Sequence, residues 1–284
     1  MDENAKYICN LFKSDKPFLI GRNGTIELQV IAKFFCKIPI LESEKNILEF
    51  NAGIFPTTYI EEYCVEYIES LKNVDVIAEG WYEPLKKIEK EILDILNPSR
   101  FKIMLRNIEP YYVVPELRWT QYLANKRVAI INSFADTCET QTYMTKAIWP
   151  SKTESLLPSS TTWIPIKTYY SPKLSGEKAS TQWPEYIKNY KDAIEDVVSR
   201  TIDSNATVAI IGCGGMGMII GSKLKDAGLQ TIVMGGSTQI LFGIRGKRWE
   251  NHEVISKFFN DAWVFPNPKD IPLNYALVEG GCYW

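Results

Sequence analysis

Histidine is almost missing from this chain: among 284 residues His252 is the single one. A Ser-His-Asp triad, a Cys-His pair or a multi-histidine metal site would have to use it. It lies in RWENHEVISKFF, which reads as a polar helix start, so a surface position is expected. General acid–base work then falls to carboxylates, lysine, tyrosine or cysteine. None of the 6 cysteines stand in a CxxC pair, which excludes a zinc knuckle or a dithiol redox motif. Scattered at apolar positions, they read as reduced core thiols.

Charge of one sign is also lacking. Lys plus Arg number 32 against 34 Asp plus Glu, a net charge of −2, which argues against a protein built to coat nucleic acid. One local basic patch remains, Arg245, Lys247 and Arg248. No apolar run has the length of a signal peptide or a membrane span, and the N-terminal MDENAKYICNLFKSDK is acidic and mixed. A cytoplasmic protein is expected, touching a membrane only peripherally. No internal repeat is visible.

What is present is ordinary globular material, 45% hydrophobic and 23% charged, enough for a large core. Strand-like runs alternate with helix-like runs. PFLIGR (17–22), VDVIA (74–78), FKIML (101–105), RVAIINSF (127–134), TVAIIG (207–212) and QTIVMGG (230–236) read as strands. TTYIEEYCVEYIESLKN (57–73) places Ile60, Cys64, Tyr67 and Leu71 on one helical stripe, and PLKKIEKEILDILN (84–97) is a second amphipathic helix. Further helices are expected after the first strand, at 185–202, at 216–228 and, shorter, at 238–244. Between 150 and 184 the chain is rich in Pro, Ser, Thr and Lys, with only Trp163 to Tyr170 strand-like. The predicted fold is one α/β domain over 1–284, Rossmann-like, with a mostly parallel sheet covered by helices on both faces. The long connection at 150–184 is either a lid or acceptor loop or a plain crossover.

In such sheets ligands bind beyond the carboxyl ends of the strands. The turn after 207–212 reads VAIIGCGGMG, with Gly212, Gly214 and Gly217 in GxGxxG spacing. Glycines there allow a tight turn, let backbone N–H groups approach a diphosphate and let the helix pack close. A dinucleotide site also wants an acidic residue ending the next strand, and that strand ends Met234-Gly235-Gly236. A phosphate or nucleotide ligand other than NAD(P) is therefore favoured, with tight packing as the alternative. GGSTQILFGIRGKRW (235–249) adds Gly235 and Gly236 beside Arg245 and Arg248, whose guanidinium forks suit phosphate oxygens. LIGRNGTIELQVI sets Gly21, Arg22, Gly24 and Glu27 at the first strand-to-helix turn. Arg22 suits a phosphate. Glu27 suits a divalent metal or the role of base, or it simply complements the helix dipole. Asp136 and Glu79, which also follow strands, are the other candidate bases.

These blocks together resemble the glycosyltransferases of the D-type fold and related bacterial and viral polysaccharide-associated proteins. The resemblance rests on Gly24-Thr25-Ile26-Glu27, on the glycine turn at 207–217, on GGSTQILFGIRGKRW and on the final GGCYW. That family carries Gly-Asp-x-Glu after its first strand, a metal motif; here the glutamate is Glu27 and the aspartate is replaced by Thr25. The resemblance implies a Rossmann-like fold, a nucleotide-diphosphate sugar as donor, Mn²⁺ or Mg²⁺ at Glu27, and a glycan as acceptor and product. Two other functions stay open: a non-catalytic nucleotide- or glycan-binding component of a polysaccharide assembly system, and a nicotinamide-dependent oxidoreductase.

Overall fold

A computed structural model describes residues 2–284. Seven strands form one sheet: β1 (Phe18–Arg22), β2 (Val76–Glu79), β3 (Phe101–Met104), β4 (Arg127–Asn132), β5 (Thr162–Lys167), β6 (Val208–Gly212) and β7 (Gln230–Val233). Their order is β3-β2-β1-β7-β6-β4-β5, and every pairing is parallel. The α/β, Rossmann-like expectation holds, with an all-parallel sheet.

The reason lies in the side-chain alternation of apolar, β-branched strands. Leu19, Ile77, Ala129, Ile131, Ala209, Ile211 and Val233 point into one core. Phe18, Ile20, Val76, Val128, Ile130, Val208 and Ile232 point into the other. Because successive residues face opposite sides, a strand apolar at every position needs both faces covered. Helices Thr25–Phe35, Ile60–Asn73, Tyr190–Asp203 and Gly217–Asp226 supply the first cover. The helix Asp2–Lys13, the turns between β3 and β4, and the segments 134–157 and 234–284 supply the second.

Several elements start or stop where local chemistry dictates. The helix expected from 185 begins at Tyr190, because Asn189 accepts the backbone N–H groups of Lys191 and Asp192 and caps it there. Helix Gly217–Asp226 lies close on the sheet. A Cβ on Gly221 would come within 2.8 Å of Leu19 Cδ1, and one on Gly217 within 3.2 Å of Val233 Cγ1. The connection at 150–184 is not uniformly irregular: it carries β5 at the sheet edge and the short helices Thr153–Leu156 and Pro172–Ser175. All six cysteines are free, four of them buried. Among the described residues no helix is long and apolar enough to cross a membrane.

Candidate functional site

The chain leaves β4 outward to β5 but leaves β6 inward to β7. The C-terminal ends of β4 and β6 therefore bound a switch point, where two oppositely directed connections open a crevice. Asn132 spans it. Its Nδ2 donates to the Gly212 carbonyl at 3.0 Å and its Oδ1 accepts the Phe134 N–H at 2.7 Å. Only glycine fits at 212, since a Cβ there would stand 2.6 Å from the Gly235 carbonyl oxygen.

Above this edge lies a cavity of about 470 Å³, lined by residues that follow six of the seven strands. That volume suits a small organic ligand. A shallower groove of about 750 Å³ runs between charged side chains such as Glu61, Glu66 and Lys191 on the outer helices, away from the strand ends.

Glu27 sits in the cavity wall, 8% exposed, in the first turn of helix Thr25–Phe35. Its carboxylate folds back over its own helix start, so that a Cβ on Gly24 would lie 1.9 Å from Glu27 Oε2. The Gly24–Glu27 spacing is thus one steric unit: the missing side chain makes room for the carboxylate, which meets the positive end of the helix. Burial pushes the Glu27 carboxyl above its ordinary value; a backbone hydrogen bond and Arg22 pull it down, and Glu279 raises it further.

Arg22 reaches from β1 across to β7. A Cβ on Gly235 would be 3.4 Å from its Nη1, and among the described residues the Arg22 guanidinium has no ion pair within 4.0 Å. Arg248 approaches from the far side, where its Nη1 donates to the Tyr283 hydroxyl at 2.7 Å and its Nη2 stands 3.5 Å from Glu279. The Tyr283 ring covers Gly236, 3.0 Å from where a Cβ would be. Gln239 Nε2 donates to the Tyr283 carbonyl at 2.8 Å, pinning the C-terminal segment over the sheet edge. Cys213 also lines the cavity, but burial pushes its thiol up to about 12, which leaves it a neutral thiol rather than a nucleophilic thiolate.

The candidate residues divide. Glu27, Arg22, Gly24, Gly212, Gly214, Gly235, Gly236 and Arg248 line one cavity. Gly21 lies within β1 and Gly217 opens the helix after the glycine turn, and they pack against Met218 and Val233 respectively. Arg245 lies outside, its guanidinium 4.8 Å from the Phe259 ring centroid and 4.9 Å from that of Phe265. Asp136 is also outside, ion-paired to Lys167 at 2.7 Å. Glu79 is exposed at the end of β2, beyond the lining. His252 is partly buried, its Nδ1 accepting the N–H groups of Val254 and Ile255 at 3.2 Å each. Sequence reasoning did not point to Tyr82, Tyr170 or Glu279, which line the cavity as well. Their only local signal was position just after a strand or near the GGCYW block.

Gly214 has a positive φ of 61°, and a Cβ on it would meet the Ala52 carbonyl oxygen at 2.9 Å. The end of helix Glu42–Ala52 thus fills the close approach that a dinucleotide pyrophosphate uses in a GxGxxG turn. Gly214→Ala is expected to destabilise the protein by about 2–3 kcal/mol, from left-handed strain plus that clash. A chemical-denaturation midpoint unchanged from wild type would show that the turn relaxes freely.

Among the described residues no three His, Cys, Asp or Glu side chains stand close enough to hold a metal ion. Glu27, with Glu279 in electrostatic range, offers a hard cation one well-placed carboxylate. Such a donor set fits Mg²⁺ or Mn²⁺ only when a ligand's phosphate oxygens and water complete the coordination. Comparison of the chain with protein-family models, with curated proteins and with solved structures gave no match.

Proposed function

We propose that the cavity binds a nucleotide-diphosphate sugar and that the protein transfers the sugar to a glycan acceptor. One observation carries this reading: Arg22, which has no ion-pair partner among the described residues, lies over the side-chain-free Gly235 turn beside a buried carboxylate, Glu27. A diphosphate needs cations and bare backbone at its oxygens. Sugar transfer needs an adjacent group that takes a proton. In the reaction the acceptor hydroxyl oxygen bonds to the sugar's anomeric carbon and its proton passes to Glu27. The bond from that carbon to the diphosphate breaks, and the diphosphate leaves with the electron pair, its charge met by Arg22 and Arg248. A divalent cation, where bound, neutralises part of the same charge. The Ala52 carbonyl at the glycine turn weighs against a dinucleotide and for a ligand held further along the sheet edge.

The direct test is thermal stabilisation by UDP, GDP and dTDP, by their sugars, and by NADH and NADPH. A ligand at 100 times its dissociation constant adds about 2.7 kcal/mol. Stabilisation by the nicotinamide cofactors alone would reverse the reading. Calorimetry on two variants sharpens it. Arg22→Ala is expected to weaken nucleoside-diphosphate binding by about 1.5–3 kcal/mol, the value of a charge-assisted hydrogen bond. Arg245→Ala, outside the cavity, is expected to leave it unchanged. Equal loss in both variants would mean that the two arginines act on folding rather than on the ligand.

A further inference from the structure

Diphosphate binding leaves one part of the cavity unused. Trp81 and Tyr82 follow β2 and stand at the cavity mouth, 58% and 42% exposed, their ring centroids 5.7 Å apart in an edge-to-face arrangement. The geometry points to this pair as the acceptor subsite, a platform on which a pyranose ring of the glycan stacks through its C–H face. The inference rests on the donor reading above and deepens it.

The cavity has two unlike ends. Its lining runs from β2 through β1, β7, β6 and β4 to β5, five strand spacings, or roughly 24 Å. At the β4–β5 end the aromatic residues are enclosed: Phe134 is 5% exposed and Trp284 8%, and Tyr170 is held by its hydroxyl donating to the Asp270 carbonyl at 3.1 Å. At the β2 end the aromatic residues face solvent. A nucleobase is a terminal group that gains by burial. A glycan acceptor continues as a chain and needs an open exit. The enclosed end therefore suits the base, the arginines the diphosphate, and the open end the acceptor.

The chemistry orders the parts in the same sense. Glu27 follows β1, the direct neighbour of β2, with Arg22 in register opposite Ala78. A sugar stacked on Trp81 is thus one strand outboard of the group that takes its proton. Among the described residues no lysine or arginine stands over either ring, and such aromatic faces suit the apolar face of a sugar ring.

Saturation-transfer NMR on the full chain, with methyl glucoside, methyl galactoside and chitotriose as probes, tests the subsite. Thermal shift with UDP, GDP and dTDP runs alongside. In the wild type, saturation is expected to concentrate on the ring C–H protons of at least one sugar. Trp81→Ala is expected to weaken that binding about tenfold, Trp81→Phe to restore most of it, and neither to alter nucleotide stabilisation. Sugar saturation that persists in Trp81→Ala overturns the subsite, as does a wild type that saturates none of the probes. A Trp81→Ala protein that instead loses nucleotide binding overturns it too, by making the pair the seat of the base. Failure of every nucleotide to stabilise the wild type sinks the donor reading, while the sugar result still decides the platform.

Discussion

Glu27→Gln is expected to lower turnover by roughly 10²–10⁴, the loss typical of a missing general base, with nucleotide-diphosphate binding nearly intact. The measurement is release of nucleoside diphosphate from a nucleotide sugar in the presence of acceptor. Glutamine is a clean probe because it keeps the shape and serves equally well at the third position of a helix start. It removes only the negative charge and the ability to take a proton. A metal-ligand role gives a different pattern: donor binding and any Mn²⁺ or Mg²⁺ dependence disappear together. Turnover at the wild-type rate would eliminate both roles and leave Glu27 as the complement of its own helix.

The pH dependence follows with a definite sign. Burial raises the Glu27 carboxyl in the folded protein above the roughly 4.3 of an exposed glutamate. A group bound more tightly to its proton when folded contributes stability that is fully present below the unfolded value. That contribution is lost as pH rises through the folded value. Glu27→Gln is neutral throughout and escapes this loss, so its melting temperature is expected to exceed that of the wild type above the window. The base must be ionised to act, so the acid limb of kcat/KM is expected above about 4.3 and to vanish from the residual activity of the variant. Lower activity with higher stability marks a carboxylate kept buried for chemistry.

Much of the frame is readable from the chain because the strands are short, apolar and β-branched, and such runs have few other places to go. Their ends are less readable. QTIVMGG stops pairing at Val233: the N–H groups of Met234 and Gly235 both donate to the Ile211 carbonyl, with Met234 kept in the core and Gly235 at the cavity. Helix Glu42–Ala52 escapes a periodicity search because it buries only Leu48, Glu49 and Ala52, one of them charged. The N-terminal helix does carry a stripe, Ala5, Ile8, Cys9 and Phe12, interleaved with polar residues and with charges of both signs. Within the site, short-range features are legible: the glycine turns, Arg22, and Glu27 three residues after Gly24. The contacts that complete it are long-range. Tyr283 on Gly236, Glu279 near Arg248 and the Ala52 carbonyl at Gly214 join segments that no local pattern connects. Arg245 and Arg248 look alike in sequence, yet one faces two phenylalanine rings and the other the cavity.

Asp270→Ala is expected to cost about 3–5 kcal/mol, the effect of removing one partner from a buried charged pair. Asp270 is 0% exposed and joins three segments. Its Oδ2 accepts the Thr137 N–H at 2.7 Å and the Thr137 hydroxyl at 2.6 Å, and its Oδ1 accepts Lys167 Nζ at 3.1 Å. Thr137 lies in helix Ala135–Thr142 and Lys167 ends β5. With alanine at 270 the Thr137 N–H and hydroxyl lose their acceptor in a buried place, while Lys167 keeps only Asp136. For a chain of this length the loss corresponds to a fall in melting temperature of roughly 5–10 °C. The damage is expected to reach the enclosed end of the cavity. Phe134 precedes the helix that Asp270 holds, and Tyr170 donates to the Asp270 carbonyl. Nucleotide binding should therefore weaken in Asp270→Ala in a way that Asp136→Asn does not reproduce, because Asp136 sits on the outer side of Lys167, 37% exposed. An Asp270→Ala protein melting within about 2 °C of wild type would mean that Lys167 and Thr137 find other partners. The 267–271 turn would then not be what fixes the closed end of the cavity.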